Sequence, residues 1–388
     1  MPKDLNLIYK ESLAKYLQIS QSNIFLFWKG RVAFYAILKA LGIKEGDEVI
    51  IPAFTCVVVP NAIIYLGAKP VYVDINPDTY NIDLNKLEAK ITTKTKVILA
   101  QNTFGLAPDL DSIIEIAKKY NLRVIEDCTH GFGGKYKEKL NGTIADASFF
   151  STQWNKPFST GIGGIAVVKD FELIEKLQSL ERNLLQPNFK EKAVLKILFF
   201  IRENLLPSFL YWTAIKAYRT LSSRNLIVGS SSGKELEKPV MEDDFFKGVC
   251  EFQAKKGVDG IKKIDQVSQH RIRVAARYTE FLKNMEKRIP FIPNYSLHTF
   301  LKYPILVRDR AFFIAEAEKR NIELGEWFFS PIHPIMEDYH LWFYNYGDFP
   351  IAEYTANKIV NLPTHEGITP EKIEKILTFL FKYRHLVK

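Results

Sequence analysis

Lys156 lies near the start of STQWNKPFSTGIGGIAVVKD (151–170), five residues after Ser151 and shortly before Gly161, Gly163 and Gly164. A strand ending in serine, a turn carrying lysine and a glycine-rich return to an apolar strand would set an amine and a hydroxyl on one loop. In open α/β sheets, ligands sit outside the carboxyl ends of the strands, where such a loop would lie. A lysine there becomes a carbonyl-attacking nucleophile when burial and nearby positive charge lower its pKa. A solvent-facing lysine in a glycine turn fits the same residues, so this stretch alone leaves both readings open.

Two further stretches narrow the chemistry. VIEDCTH (124–130) runs a buried-strand pattern straight into Glu126 and Asp127. A carboxylate at that position costs free energy unless something cationic or hydrogen-bonding faces it. A protonated pyridine nitrogen is one such partner, a metal ion another, and capping of a following helix a third. No second carboxylate or histidine cluster at ligand spacing supports the metal. His130 either faces the same ligand or serves as a structural histidine. WKGRVAF (28–34) puts Gly30 and Arg31 at a helix start, where free N–H groups, the helix dipole and a guanidinium suit a phosphate. Lysine, strand-end aspartate and phosphate seat together are the set that a pyridoxal-phosphate enzyme needs.

The elements that would hold these residues alternate in type. GRVAFYAILKALGI (30–43), TCVVVPNAIIYLGA (55–68) and DLDSIIEIAKKYN (109–121) predict helices. VIIPAF (49–54), PVYVDI (70–75), KVILAQN (96–102), LRVIED (122–127), ASFFS (147–151) and IAVVKD (165–170) predict buried strands. Alternation of this kind signals an open, mainly parallel α/β sheet. We expect a large domain over 1–245 and a smaller α+β domain over 246–388. Within the first, 171–245 is an apolar helical insert and linker, with GSSSGKELEKP (229–239) flexible. In the second, 251–285 predicts one long helix and FLKYPILV a strand. The stretch 192–221 is strongly apolar yet broken by Lys196, Arg202, Glu203 and Pro207, too short a run for a bilayer span. It suits helices covering a core or subunit interface, or a weak peripheral membrane contact.

Composition bounds the function class. The 388 residues carry 53 Lys+Arg against 44 Asp+Glu, a formal charge of +9. The basic residues are dispersed and no nucleic-acid-binding motif occurs, which argues against nucleic acid and leaves a membrane surface or an anionic substrate. Three cysteines without CxxC spacing argue against a disulfide framework and a structural zinc site, and fit a reducing cytoplasm. The opening MPKDLNLIYKESLAKY has no continuous apolar core of the signal-peptide kind.

The chain as a whole resembles the DegT/DnrJ-type sugar aminotransferases, of the aspartate-aminotransferase fold (fold type I). The resemblance is carried by GRVAFYAILKALGIKEGDEVIIPAFT, NAIIYLGAKPVYVDI, VIEDCTHGFGGKYKEKLNG, SFFSTQWNKPFSTGIGGIAVV, EFQAKKGVDGI, FFSPIHP and GDFPIAEYTANKIVNLPTH. It implies pyridoxal 5'-phosphate as cofactor, with Lys156 as the residue that bonds to it covalently and then carries the proton. It implies Asp127 at the pyridine nitrogen, His130 near the ring hydroxyl, Gly30, Arg31 and Ser151 at the phosphate, and His333 near the sugar. Cys56 stands where many members stack an aromatic on the ring, Arg31 where they often have threonine, and Phe246 where a partner-subunit asparagine is usual. The resemblance further implies a cytoplasmic homodimer with active sites at the subunit interface. It would move an amino group from an amino acid, L-glutamate most often, to a nucleotide-linked keto sugar for surface polysaccharide or glycolipid. The alternatives are a non-nucleotide keto sugar or cyclitol as acceptor, or a cofactor-binding regulatory protein.

Overall fold

A computed structural model describes residues 4–205 and 233–388. The chain is α/β about a large, mainly parallel sheet, as expected. Its seven strands are β1 (Ile24–Phe27), β2 (Glu48–Pro52), β3 (Lys69–Val73), β4 (Thr95–Gln101), β5 (Arg123–Asp127), β6 (Ala147–Ser151) and β7 (Gly164–Val168). By its internal contacts the chain divides into two compact units. The first comprises 1–47, 58–69 and 146–262, and the second 48–57, 70–145 and 263–388.

In the first unit the strand order is β1–β7–β6, all antiparallel, with Phe27 opposite Gly164 and Gly164 opposite Ser151. The Gly30–Ala40 helix packs on these strands with ten of its eleven residues buried, and Phe34 stacks on Phe149 at 4.7 Å. A helix buried so completely takes its stability from packing, at about 1.5–3 kcal/mol for each large apolar side chain. Gly164 permits the close approach of helix and sheet. A Cβ there would fall 2.2 Å from the Lys29 carbonyl oxygen and 2.7 Å from the Gly30 nitrogen.

In the second unit the order is β5–β4–β2–β3, with β2·β4 and β4·β5 parallel. The β2 residues are all buried, as are those of β5 after Arg123, which fits strands covered on both faces. One core gathers Ile50, Val73, Ile98, Leu110 and Val124. A separate core gathers Tyr278, Leu282, Tyr303, Phe313, Val360 and Leu380 around the antiparallel pair Tyr303–Leu306 and Ile359–Leu362. This pair includes the strand expected in FLKYPILV.

Three expectations need correction. The helix expected from 55 begins at Val58, because Thr55–Cys56 pairs as a short parallel strand with Ile332–His333. The long helix expected over 251–285 is two, Glu251–Ile261 and Ile264–Asn284, parted at Lys262 and Lys263. Gly257 and Gly260, weak helix formers, fall within the last five residues before the break. The linker expected over 229–239 contains a helix at Gly233–Glu237 with Glu235 buried; its residues 229–232, like 206–221 of the apolar stretch, lie outside the described residues. Among the described residues no helix is long and apolar enough to cross a membrane, and the three cysteines are free thiols.

Candidate active site

The first unit holds Gly30, Arg31, Ser151 and Lys156. Lys29, the N-cap of the Gly30–Ala40 helix, is extended and makes no side-chain cap hydrogen bond to the helix start. Gly30 lies directly against Ser151: a Cβ at position 30 would sit 2.9 Å from the serine Cβ. The helix start and the serine hydroxyl thus share one location, the arrangement a phosphate seat requires. Arg31 is buried, and its guanidinium donates to Glu235 Oε2 at 2.6 Å. Asn61 donates to the Glu235 carbonyl at 3.1 Å, and Tyr65 Oη lies 3.5 Å from Oε1. Burial, then the neighbouring Arg31 charge, pulls the Lys29 ammonium below the usual lysine range against the opposing pull of Glu235. The Arg31 charge therefore meets a carboxylate of its own chain.

Lys156 occupies the connection between β6 and β7, half-buried, its N–H donating to the Gln153 carbonyl at 2.9 Å. The connection is closed at its base. Thr152 N–H donates to the Gly163 carbonyl at 2.9 Å, Thr160 N–H to the Thr152 carbonyl at 2.8 Å, and the two threonine hydroxyls meet at 2.6 Å.

The second unit holds Asp127, His130, Cys56 and His333. Asp127 ends β5, only 3% exposed, and its Oδ1 accepts from Thr129 N–H at 2.9 Å. Its neighbour Glu126 points elsewhere and accepts from the backbone N–H groups of Gly142, Ile144 and Ala145 at 2.8–2.9 Å. Of the two acidic residues, Glu126 is consumed by chain folding, which leaves Asp127 as the candidate for chemistry. The Cys128 thiol is pushed well up, by burial first and then by Glu126.

His130 Nδ1 accepts from Phe104 N–H at 3.3 Å, which in the neutral ring leaves the proton on Nε2. The imidazole lies nearly parallel to Trp327 at 5.2 Å and to Phe104 at 6.2 Å. The parallel pairing of Thr55–Cys56 with Ile332–His333 brings Cys56 and His333 opposite each other, and His333 meets Phe329 edge-on at 4.5 Å. The expected cofactor residues of this unit are therefore lined by aromatics that the sequence reading did not single out. Trp327 and Phe104 are the foremost, and no local pattern sets either apart in a chain with 28 phenylalanines and 5 tryptophans. Phe246, where a partner asparagine is usual, packs against Phe27 and Tyr35, each ring at 6.0 Å.

Each unit holds donors of a type that suits pyridoxal phosphate: the first a helix start beside a serine and a loop lysine, the second a buried strand-end carboxylate of the kind a protonated ring nitrogen needs. Residues 8–196 and 248–381 match the sequence pattern of the DegT/DnrJ/EryC1/StrS aminotransferase family. The chain belongs to this family.

Relatives within reach have named activities. A GDP-perosamine synthase of Caulobacter vibrioides is 31% identical over 90% of this chain and 83% of its own length. A dTDP-3-amino-3,6-dideoxy-alpha-D-galactopyranose transaminase of Aneurinibacillus thermoaerophilus is 30% identical over 91% and 84%. Among solved structures, NtdA of Bacillus subtilis, with the cofactor PMP bound, shares the fold at a TM-score of 0.73. It is 24% identical, covering 98% of this chain and 77% of that one. The fold-type-I aminotransferase family expected from the sequence, and its pyridoxal-phosphate cofactor, are thus borne out. Residues 197–247 fall outside the family match.

Proposed function

We propose that this family member moves an amino group from L-glutamate to a keto group on a nucleotide-linked keto-deoxyhexose, using pyridoxal phosphate. The observation that carries the reading is the Lys156 loop, rising from Ser151 where Gly30 presents an uncapped helix start. The named activities of the perosamine synthase and the dTDP-amino-sugar transaminase support the nucleotide-linked acceptor.

When bound, the cofactor supplies an electron sink for the carbon that loses or gains the amine. In this reading Lys156 Nζ would hold the cofactor covalently and would carry the proton at the reacting carbon. Asp127 keeps the ring nitrogen protonated. Ser151, Gly30 and the Arg31 N–H would hold the phosphate, His130 would serve the ring hydroxyl, Cys56 would stand by the ring, and His333 would serve the sugar. The protein works in the cytoplasm as a homodimer and serves surface polysaccharide or glycolipid assembly.

The test is an absorbance spectrum of protein supplied with pyridoxal phosphate, before and after L-glutamate. A band near ~410–430 nm that gives way to one near ~330 nm is expected, and it should be missing in Lys156→Ala. No visible band in the wild-type protein would overturn the reading of Lys156.

A further inference from the structure

We infer that the segment Phe189–Leu205, part of it beyond the family's shared pattern, is a positioning device for the Lys156 loop, with Arg202 as its positioning residue. Leu195, Phe199 and Arg202 fall at i, i+4 and i+7 on one helical face, and all three address the loop. Leu195 and Phe199 are 0% and 5% exposed, whereas Ile197 and Phe200 on other faces of the same helix are 56% and 57% exposed.

The contacts are specific. Phe199 meets the Trp154 ring at 4.6 Å, and the Arg202 guanidinium lies 5.3 Å from that ring. Arg202 Nη1 also donates to the Trp154 carbonyl at 3.0 Å. That carbonyl belongs to the peptide two residues before Lys156. Fixing it, together with the ring, fixes the direction in which the turn delivers the lysine. Across the loop, Gly161 has φ +83°, and a Cβ there would lie 2.4 Å from Leu195 Cδ1 and 2.9 Å from Phe199 Cε2. The loop therefore bends onto the helix at both Trp154 and Gly161.

The helix is itself anchored at both ends. Asn188 and Glu191 form a capping box, Glu191 pairs with the buried Lys247 at 2.5 Å, and Glu203 pairs with Lys256 at 2.6 Å. Phe252 of the Glu251–Ile261 helix braces Phe199 edge-on at 5.2 Å. Phe199 and Arg202 lie after the matched stretch ends at 196, so this support is a property of this chain rather than of the shared pattern.

The inference rests on Lys156 as the cofactor-bonding residue, and one experiment separates the two. Arg202→Ala, Arg202→Lys and the exposed control Phe200→Ala are compared by amide hydrogen exchange in cofactor-free protein. They are then compared by the pH midpoint of the ~410–430 nm band after adding pyridoxal phosphate. Arg202→Ala should speed exchange across 152–163 by about tenfold or more, the equivalent of one charged hydrogen bond. It should also move the pH midpoint by about half a unit or more. Arg202→Lys should recover part of both effects, and Phe200→Ala should change neither. If Arg202→Ala matches the wild type in both readouts while Lys156→Ala loses the band, the positioning role is wrong and the reading of Lys156 stands. A band retained in Lys156→Ala overturns both.

Discussion

Replacing Glu235 by alanine leaves the Arg31 guanidinium buried, 6% exposed, without the carboxylate it donates to at 2.6 Å. Lys29, half-buried, stays close enough to feel the Arg31 charge, so two cations are left with less compensation. Removing one partner of a buried pair costs about 3–5 kcal/mol, because the survivor keeps its desolvation penalty. With 388 residues and an unfolding entropy of about 2.1 cal/mol/K per residue, that cost lowers the melting temperature by about 4–6 °C. Glu235→Gln keeps an acceptor and should lose about half as much. The double variant Arg31→Met/Glu235→Met should recover most of the loss, since apolar pairs of similar volume often match buried ion pairs. Differential scanning calorimetry in low and high salt reads all three. The effect should persist in high salt, because buried charges are poorly screened. A shift below about 1 °C for Glu235→Ala, or a double variant as unstable as the single one, would refute the reasoning.

Other outcomes follow from the same geometry. Asp127→Asn should still bind pyridoxal phosphate but slow the glutamate half-reaction on the order of 100-fold, measured by single-turnover absorbance; an unchanged rate would remove Asp127 from the ring nitrogen. Gly164→Ala should cost about 3 kcal/mol or more, since the new methyl meets the backbone of Lys29 and Gly30; a wild-type melting curve would contradict the helix–sheet approach described above. His298 is buried, its Nδ1 accepts from Phe300 N–H at 3.1 Å, and burial lowers its pKa to about 3. A depressed histidine pKa leaves stability untouched above the unfolded value of 6.5 and drains it as pH falls from 6.5 toward 3. The slope is about 1.4 kcal/mol per pH unit, or roughly 3 kcal/mol between pH 6.5 and 4.5. Urea midpoints across that range should fall less steeply in His298→Gln than in the wild type, and parallel profiles would discount the histidine.

The parts of the fold written in local patterns were legible. The apolar runs at 49–54, 70–75, 96–102, 122–127, 147–151 and 165–170 each became a strand within a residue or two, because strands covered on both faces need continuous apolar sequence. The amphipathic stretches at 30–43 and 109–121 became helices at Gly30–Ala40 and Leu110–Lys119. The strand IFLF (24–27) escaped, being four apolar residues with no alternation and a partner far along the chain. Lys156 and Asp127 stood out because lysine in a glycine-rich turn and aspartate at a strand end are chemically expensive placements. The partner of Arg31 did not stand out. It lies 204 residues away on a helix inside what reads as a serine–glycine linker, and no local pattern encodes that pairing. Trp327 was invisible for the same reason: an aromatic in an aromatic-rich chain declares its ring partner only in three dimensions.

The interleaving of the two units sets a timetable for the nascent chain. The first unit is assembled from 1–47, 58–69 and 146–262, so it lacks part of itself until residue 262 has been made. Strand β1 must wait for β7, about 140 residues later, before its exposed edge is paired. At about 5–20 residues per second, that wait lasts on the order of 10–30 s on the ribosome. Over that interval the apolar IFLF edge and the greasy face of the Gly30–Ala40 helix stay without their cover. Recombinant yield should therefore respond more to slower growth temperature and chaperone supply than to any single stabilising substitution, and neither unit can be excised by trimming one end.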